Sequence, residues 1–286
     1  MKMKKVLFYC LFALFLGGFL FGGYQIYSKL REREESAEAY TDIADLVVQA
    51  VPTATESPTE SEPAESQGAQ TQTGISKPHD PTLEGEKSPA STEPIKYHIP
   101  VPISVDFAKL QEINPDIIGW IYCEDTPINY PVLQGETNKT YLRHQYDGEY
   151  NYAGSIFMDH RNDPELADPY TMIFGHNMTN GTMFHIFESF RRQKFMEEHS
   201  DIFYLTPSGQ NYCFRVICSN LTQYKDDLRL FELRDETRKL DLIRSKASAD
   251  TGIEVSPEDQ LVLLATCAYD YKNARITLLT KVLPLA

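Results

Sequence analysis

The sequence predicts a mainly β fold, a mainly antiparallel β-barrel with inserted helices, for the part of the chain from residue 95 onward. Short runs rich in Ile, Val, Tyr and Phe recur there, and each is bounded by Pro, Gly, Asn or Asp, as is typical of strands. The runs add up to about eight or nine strands, without a regular alternation of strand and helix. That pattern favours a barrel over a doubly wound parallel sheet.

A membrane segment is predicted ahead of the barrel. A basic start at residues 1–5 precedes about 21 uncharged and mostly apolar residues, Val6–Ile26, enough helix to cross a bilayer. A cleaved secretory signal is the alternative, but its apolar core is usually shorter and ends in a small-residue cleavage site. We therefore predict a cytoplasmic start at 1–5, a single-pass membrane anchor at 6–27 and an extracellular domain.

Residues 28–94 are predicted to connect the anchor to the domain. Leu30–Gln49 is charged and partly apolar, and it fits a juxtamembrane helix. Residues 51–94 consist largely of Pro, Thr, Ser, Glu, Gln and Gly, with too few large apolar residues to offset the entropy of ordering them. This stretch is predicted to be a disordered, extended stalk.

The folded domain, residues 95–286, is predicted to contain the following elements. The helices are Asp106–Asn114, a segment capped by Thr182 that carries Met183, Phe184, Phe187 and Phe190, and the charged segment Asp226–Ser248 with Leu240, Ile243 and Ala247 on one face. The strands are Ile117–Tyr122, Ile128–Val132, Gly154–Met158, Tyr170–Phe174, Asp201–Leu205, Tyr212–Ser219, Leu261–Thr266 and Arg275–Val282.

Charge and cysteine content argue against two classes of protein. The formal net charge is −14, whereas phosphate binding needs clustered Lys and Arg, so no nucleic-acid partner is predicted. Cys213 and Cys218 are an odd number of positions apart and would face opposite sides of one strand, so the cysteines do not form an evident disulfide framework. A free cysteine in an exported domain is a reason to look for chemistry.

Cys267 is the first candidate for that chemistry. It ends the apolar run Leu261–Thr266, and a short turn then leads to Arg275 at the start of the next strand. Two antiparallel strands joined in this way place Cys267 and Arg275 at neighbouring strand ends. The guanidinium is suited to lower the thiol pKa or to stabilise an oxyanion. A buried, inert cysteine beside a structural arginine is the alternative that spacing alone leaves open.

His176 is the second candidate. It follows the strand Tyr170–Phe174 in a turn, after Gly175, and an imidazole is the usual proton-transfer partner of a cysteine nucleophile. The alternative is an ordinary solvated loop histidine. The remaining histidines show no spacing typical of a metal site, and neither a metal nor a cofactor is predicted.

Several blocks of the sequence together resemble the class B sortases. They stand in the order found in that family, from about Ile113 to the C-terminus, and comprise Tyr141-Leu142, Gly154-Ser-Ile-Phe-Met-Asp159, Ile173-Phe-Gly-His-Asn177, Thr182-Met-Phe184, Ala265-Thr-Cys267 and Ala274-Arg275. The charged segment before the cysteine strand stands where that class has an extra helix. The resemblance implies a closed barrel of eight strands with a His–Cys–Arg site.

The resemblance also implies a reaction. Cys267 would attack the carbonyl after a Thr in a C-terminal sorting signal and form a thioester, with His176 transferring protons and Arg275 holding the oxyanion or the substrate backbone. The acceptor would be an amine of a peptidoglycan precursor or a pilin lysine, and the partners would be surface proteins that carry the signal. Asn138 and Leu142 match positions that line the signal pocket.

The sequence departs from the family pattern beside the cysteine. Leu263 stands where the family often has Thr, and Ala265 replaces a Ser of some members, so a relative's signal specificity does not transfer. A pilin polymerase and a hydrolase are the enzymatic alternatives to wall anchoring. A membrane-tethered adhesion or scaffold protein is the non-enzymatic one, and it predicts Cys267 to be buried or far from the other two residues.

Overall fold

The computed structural model describes residues 2–52, 96–223, 240, 241 and 243–286, and it contains a closed eight-stranded β-barrel. The strands are β1 (Val48–Ala50), β2 (Ile103–Val105), β3 (Ile117–Tyr122), β4 (Asn129–Leu133), β5 (Ile156–Met158), β6 (Tyr170–Phe174), β7 (Asp201–Leu205), β8 (Tyr212–Gln223), β9 (Ala247–Asp250), β10 (Leu261–Cys267) and β11 (Ala274–Pro284). The helices are α1 (Lys2–Val47), α2 (Phe107–Ile113), α3 (Phe187–Phe190) and α4 (Gln193–Glu198).

The barrel runs in the order β11, β10, β6, β5, β4, β3, β7, β8 and closes where β8 pairs with β11. Six of its pairings are antiparallel, and the pairs β4–β5 and β6–β10 are parallel. The predicted mainly antiparallel barrel is therefore confirmed. Strand β9 pairs with β8 outside the closed ring.

Strand β10 is buried on both faces, which explains its continuous apolar sequence. Val262 and Leu264 belong to the main core inside the barrel, while Leu261 and Leu263 belong to a second apolar cluster on its outer face. Side chains alternate along a strand, so Cys267 points to the same side as Leu261 and Leu263. The strand therefore delivers its cysteine to the outer surface of the barrel, where the thiol is exposed.

Most predicted strands agree with the structure to within a few residues, and β3, β6 and β7 agree at both ends. The predicted first helix corresponds to α2, whose amino end is capped by the Asp106 carboxylate accepting the Lys109 N–H at 3.2 Å. Strand β9 was not predicted. Ala247, which was assigned to the charged helix, lies in this strand because its backbone pairs with Asn220 of β8.

The predicted cap at Thr182 is wrong. The segment begins as a 3-10 turn at Phe184–Ile186 and continues as α3, and its cap position is Met183. The Thr182 hydroxyl donates instead to the Asn180 side chain at 2.8 Å, within the preceding loop. The apolar spacing is nevertheless reflected in burial, since Phe184, Phe187 and Phe190 are fully buried.

Helix α1 joins the predicted membrane segment to the barrel. It is continuous from Lys2 to Val47, and its last turns bury Tyr40, Ile43 and Val47 in the main core. Strand β1 follows directly and pairs with β2. The predicted stalk lies almost entirely outside the described residues, at 53–95, and the described chain on both sides of that gap is attached to the barrel domain.

The described cysteines are free, as predicted, but the predicted facing of two of them is wrong. Cys213 and Cys218 of β8 pair with Leu283 and Leu279, which lie four positions apart on β11, so both cysteines face the same side. A register shift between the two strands adds one residue to β8 at this point and offsets the odd spacing.

Cys123, Cys213 and Cys218 are buried free thiols, whereas Cys267 is exposed. Burial raises the pKa of Cys123, Cys213 and Cys218 to about 12. Of the described cysteines, Cys267 alone is accessible to a substrate.

Candidate active site

A groove of about 310 Å³ lies on the outer face of the barrel over the ends of β6, β10 and β11. A groove of this size accommodates a few residues of an extended peptide. All five residues predicted for the site line it: Asn138, Leu142, His176, Cys267 and Arg275. The other lining residues are mostly apolar and include Phe157, Met172, Phe174 and Ala265.

Cys267 and Arg275 are direct neighbours across two strands. They are paired in the antiparallel register of β10 and β11, as the sequence predicts. Residues directly opposite each other in an antiparallel pair project to the same face, so thiol and guanidinium share the groove. The Arg275 guanidinium also lies 5.8 Å from the centre of the Phe174 ring, which fixes one wall of the site.

His176 reaches the same groove through a parallel strand pair. Strands β6 and β10 run side by side with Phe174 opposite Ala265, so His176 and Cys267 each stand two residues beyond this pair. The Gly175 N–H donates to the Ala265 carbonyl at 3.1 Å and continues the ladder up to the histidine. Two residues that are 91 positions apart in the sequence are thereby brought to one end of the sheet.

The ring of His176 is oriented by a backbone carbonyl. Its Nε2 lies 2.9 Å from the carbonyl oxygen of Leu142. A carbonyl oxygen only accepts, so Nε2 carries a proton, and in the neutral ring Nδ1 is the nitrogen with a free lone pair. Tyr152 stacks on the imidazole with the ring centres 6.5 Å apart, which holds the plane of the ring. In this neutral form, Nδ1 is the ring nitrogen that is able to accept a proton.

The pKa of His176 is lowered below its ordinary value of 6.5. Burial is the main cause, and the positive charges of Arg143 and Arg275 add to it, against the opposing effect of the Leu142 carbonyl. The imidazole is therefore neutral at pH 7. Since the folded protein binds this proton less readily than the unfolded chain, the contribution of His176 to folding becomes less favourable as the pH falls through 6.5 towards the lowered pKa.

The Arg143→Gln substitution is expected to raise the pKa of His176, because it removes one of the two cations that disfavour the imidazolium. The measurement is an NMR titration of the His176 ring protons. Lys139→Gln is the matched control: Lys139 also lines the groove but is not among the causes of the shift. An unchanged pKa in Arg143→Gln, or an equal rise in both variants, would contradict this electrostatic account.

Asn177 connects the loop of His176 to the strand that carries Cys267, a contact that the sequence did not reveal. Its buried side-chain amide donates to the Cys267 carbonyl at 2.9 Å and to the Glu188 carboxylate at 3.2 Å. Its carbonyl oxygen accepts from His185 at 2.7 Å. The position next to His176 in the sequence was the available signal, but the bond to β10 becomes visible only in the fold.

Because Gly154 has no side chain, it leaves space for the Leu142 carbonyl that orients His176. Its φ is +57°, and a Cβ atom at this position would lie 2.6 Å from the carbonyl oxygen of Leu142. The Gly154→Ala substitution is therefore expected to displace that carbonyl and lower the rate of peptide cleavage. The left-handed backbone adds a cost of about 1–2 kcal/mol in the free energy of unfolding.

Gly148→Ala separates these two effects, because Gly148 has a φ of +86° but a Cβ atom at this position would meet no other atom within 4 Å. Thermal unfolding should show a loss of stability in both variants. Cleavage rates measured well below the melting temperature should fall only in Gly154→Ala. Equal rates in the two variants would mean that the Leu142 carbonyl does not position the histidine.

The two residues predicted for substrate binding differ in whether their side chains are available to a substrate. Leu142 is 38% exposed and offers an apolar side chain at the groove, while its carbonyl is committed to His176. The amide of Asn138 is bonded within the protein: it donates to the Asp159 carboxylate and accepts from the backbone N–H of His160, both at 2.9 Å. Bonds to Arg161 and Asn138 lower the pKa of Asp159 against the effect of its burial, so it is anionic beside the groove.

The fold and this groove define the class of protein: a cysteine transpeptidase with its thiol at the outer end of a barrel strand. The Sortase domain family model matches residues 121–282, more than half of the chain. The chain therefore belongs to the sortase family, and it is a class B, sortase-type cysteine transpeptidase, as its relatives indicate.

Similar proteins of known class include sortase B of Staphylococcus aureus, which is 34% identical over 185 residues, covering 63% of this chain and 75% of that protein. The solved sortase B–substrate complex from S. aureus matches with a TM-score of 0.58 and 32% identity, covering 63% of this chain and 85% of the other. A class B sortase of Streptococcus pyogenes involved in pilus biogenesis matches with a TM-score of 0.58 and 28% identity, covering 62% and 98%.

Proposed function

We propose that this protein is a membrane-anchored transpeptidase that cleaves a C-terminal sorting signal after Thr and transfers the acyl group to an amine of a cell wall precursor. The observation that carries the proposal is the shared groove, in which the exposed Cys267 lies with His176 and Arg275. The adhesion or scaffold alternative predicts a buried or isolated Cys267, and the exposed thiol in this groove counts against it.

The proposed chemistry consists of two acyl transfers. The Cys267 thiol gives its proton to His176 Nδ1 while its sulfur attacks the carbonyl carbon of the Thr, and the tetrahedral oxyanion is stabilised by the Arg275 guanidinium. Collapse of this intermediate breaks the peptide bond, and His176 Nδ1–H gives its proton to the departing amine. An acceptor amine then attacks the thioester and transfers a proton to Nδ1. The carbon–sulfur bond breaks, the new amide is released, and Nδ1–H returns the proton to the Cys267 sulfur, which regenerates the thiol.

The resting proton distribution follows from the environment of the imidazole. The lowered pKa of His176 favours a neutral ring, so the proton that reaches the leaving amine comes from the thiol by way of Nδ1. We propose that the uncharged pair is the resting form and that the ion pair forms on the reaction path. An NMR titration in which the His176 ring protons report a neutral imidazole at pH 7 in the resting enzyme would agree with this order.

The signal peptide is proposed to lie along the groove with its apolar side chains on the wall formed by Leu142 and Phe157. Asn138 and the anionic Asp159 provide the polar end of the same groove. The S. aureus sortase B structure in complex with substrate, and a sortase B structure in complex with triglycine, support a peptide donor and an amine acceptor of this general kind.

Membrane anchoring is proposed for the apolar part of α1. The described helix contains a span, within Leu11–Val47, that is long and apolar enough to cross a membrane, and the apolar window is not buried by the domain. Leu14 and Phe15 are 73% and 77% exposed, and a continuous row of such side chains needs a lipid or protein partner. The domain is then placed on the extracellular side.

Pilin polymerisation is the second candidate, and the S. pyogenes relative involved in pilus biogenesis favours it. The two candidates, and hydrolysis, differ in the nucleophile that resolves the thioester. The test offers the full-length protein in detergent a sorting-signal peptide with triglycine, with a lysine-containing peptide or with neither. Mass spectrometry identifies the product, and the wall-anchoring proposal fails if lysine amide or free acid forms as readily as the triglycine product.

A further inference from the structure

Near its apolar end, helix α1 contacts the loops that surround the active site. The Glu32 carboxylate accepts the backbone N–H of Tyr152 at 3.0 Å, and the Arg33 guanidinium donates to the Thr179 hydroxyl at 2.9 Å. Tyr152 is the residue that stacks on His176. The contacts with the barrel core, made by residues 40–47, come later along the helix and therefore farther from its apolar end.

The distance from the apolar stretch to these loops is short. Tyr27 is 61% exposed at the end of that stretch, and Arg33 follows six positions later. The polar layer on each side of a bilayer is about 5–8 Å thick. At a rise of 1.5 Å per residue, Glu32 and Arg33 lie about 8–9 Å along the helix from Tyr27, at the outer part of that layer. A membrane-spanning α1 therefore brings the active-site loops to the level of the lipid headgroups.

The loops beside the groove carry exposed tyrosines suited to that level: Tyr152 stacks on His176, and Tyr150, in the same loop, packs against His144. Tyr150, Tyr152 and Tyr269 are 67%, 46% and 69% exposed. The hydroxyl of Tyr269 donates to the Asn177 carbonyl beside His176, so this ring lies over the same loop. Exposed tyrosines are enriched where proteins meet the interface between membrane and water, because the ring is apolar and the hydroxyl is not.

No flexible segment separates α1 from the barrel in the described chain. The helix passes directly into β1, whose partner is β2, and the Val51 N–H donates to the Pro102 carbonyl at 2.8 Å. Residues 53–95 therefore connect two strands, β1 and β2, that pair with each other on the domain. Whatever their conformation, they do not set the distance between the anchor and the active site.

We propose that the active-site face of this protein lies against the phospholipid surface, with Tyr150, Tyr152 and Tyr269 in the headgroup layer. Helix α1 holds the domain in this position. This inference rests on the proposed membrane anchoring. Substrate and acceptor would then reach Cys267 along the membrane surface.

The test uses full-length protein in vesicles of phosphatidylcholine and phosphatidylglycerol that carry bromine on the acyl carbons near the headgroup. Trp120, the sole tryptophan of the chain, is fully buried and gives a constant background. The Tyr150→Trp variant should lose fluorescence to the brominated lipid and shift its emission to shorter wavelength. Tyr97→Trp is the matched control, because Tyr97 lies far from the active site. Its backbone N–H bonds to Pro284, and Pro284 is nine residues, or about 30 Å of strand, from Arg275 on β11.

Two further variants test whether a rigid α1 holds the active-site face at the membrane. A flexible Gly-Ser insertion after Lys29 should abolish the quenching of Tyr150→Trp, whereas deletion of residues 53–95 should leave it unchanged. Equal quenching of Tyr150→Trp and Tyr97→Trp, or quenching that survives the insertion but not the deletion, would overturn the inference. Flotation with the vesicles reports the anchoring separately, and peptide cleavage in detergent reports the enzymatic function, so a failure of either is distinguished from a failure of the docking.

Discussion

The Cys267→Ala protein is expected to form no covalent adduct with a sorting-signal peptide and to release no product. The exposed thiol at the end of β10 is the sole accessible sulfur among the described cysteines. Removal of the nucleophile of a cysteine or serine acyl-transfer site costs on the order of 10⁶ in turnover. Intact-protein mass spectrometry detects the thioester, and chromatography quantifies the cleaved peptide.

The buried cysteines provide the control for this substitution. Cys123→Ala and Cys213→Ala remove thiols whose pKa burial raises to about 12, so both variants should retain the adduct and nearly the full cleavage rate. Alkylation should likewise label Cys267 first in the folded wild-type protein. An adduct that persists in Cys267→Ala, or disappears in Cys213→Ala without loss of folding, would exclude Cys267 as the acyl carrier.

The His176→Gln protein is expected to lose a factor of about 10²–10⁴ in the rate of peptide cleavage. Glutamine retains a donor for the Leu142 carbonyl but has no group that exchanges a proton with the leaving amine. The loss should depend on the leaving group: an ester analogue of the signal, whose alcohol departs without prior protonation, should be affected much less than the amide. Parallel kinetics with the two substrates provide the measurement.

His160→Gln is the control for the histidine prediction. His160 is a partly exposed loop histidine whose ring lies 3.1 Å from the Asn138 side chain, at the edge of the groove rather than beside the thiol. Its substitution should change the amide and ester rates by the same small factor. If His176→Gln also slows both substrates equally, then His176 positions the substrate or the thiol and does not act as the proton donor.

The family resemblance located the fold and the groove residues, because each block of sequence is local. Strands such as β3 and β7 carry their own apolar pattern and turn residues, and their bounds were predicted without error. Elements whose formation depends on a partner were missed or misjudged. Strand β9 has little apolar pattern and forms because β8 offers it an edge, and Thr182 bonds to Asn180 instead of capping a helix.

In the groove, too, the sequence identified local features but not contacts between distant segments. The sequence indicated Asn138 as a groove residue, but it did not reveal that its amide is occupied by Asp159 and His160. Asn177 belongs to one of the blocks that resemble the family, but only the fold shows that its side chain bonds to the Cys267 carbonyl. Hydrogen bonds between residues that are distant in sequence leave no periodic signal in either segment, so sequence patterns identify the residues and not their partners.

The sequence by itself determined the nucleophile candidate and its arginine, because a hairpin of consecutive strands makes Cys267 and Arg275 neighbours within a few residues. It also determined the apolar N-terminal helix, whose length and composition are local properties. Only the tertiary structure decided how His176 comes to stand beside this hairpin, through the parallel pairing of β6 with β10, and that α1 reaches the active-site loops. Both depend on contacts between segments far apart in the chain, whose geometry is set by barrel closure and core packing.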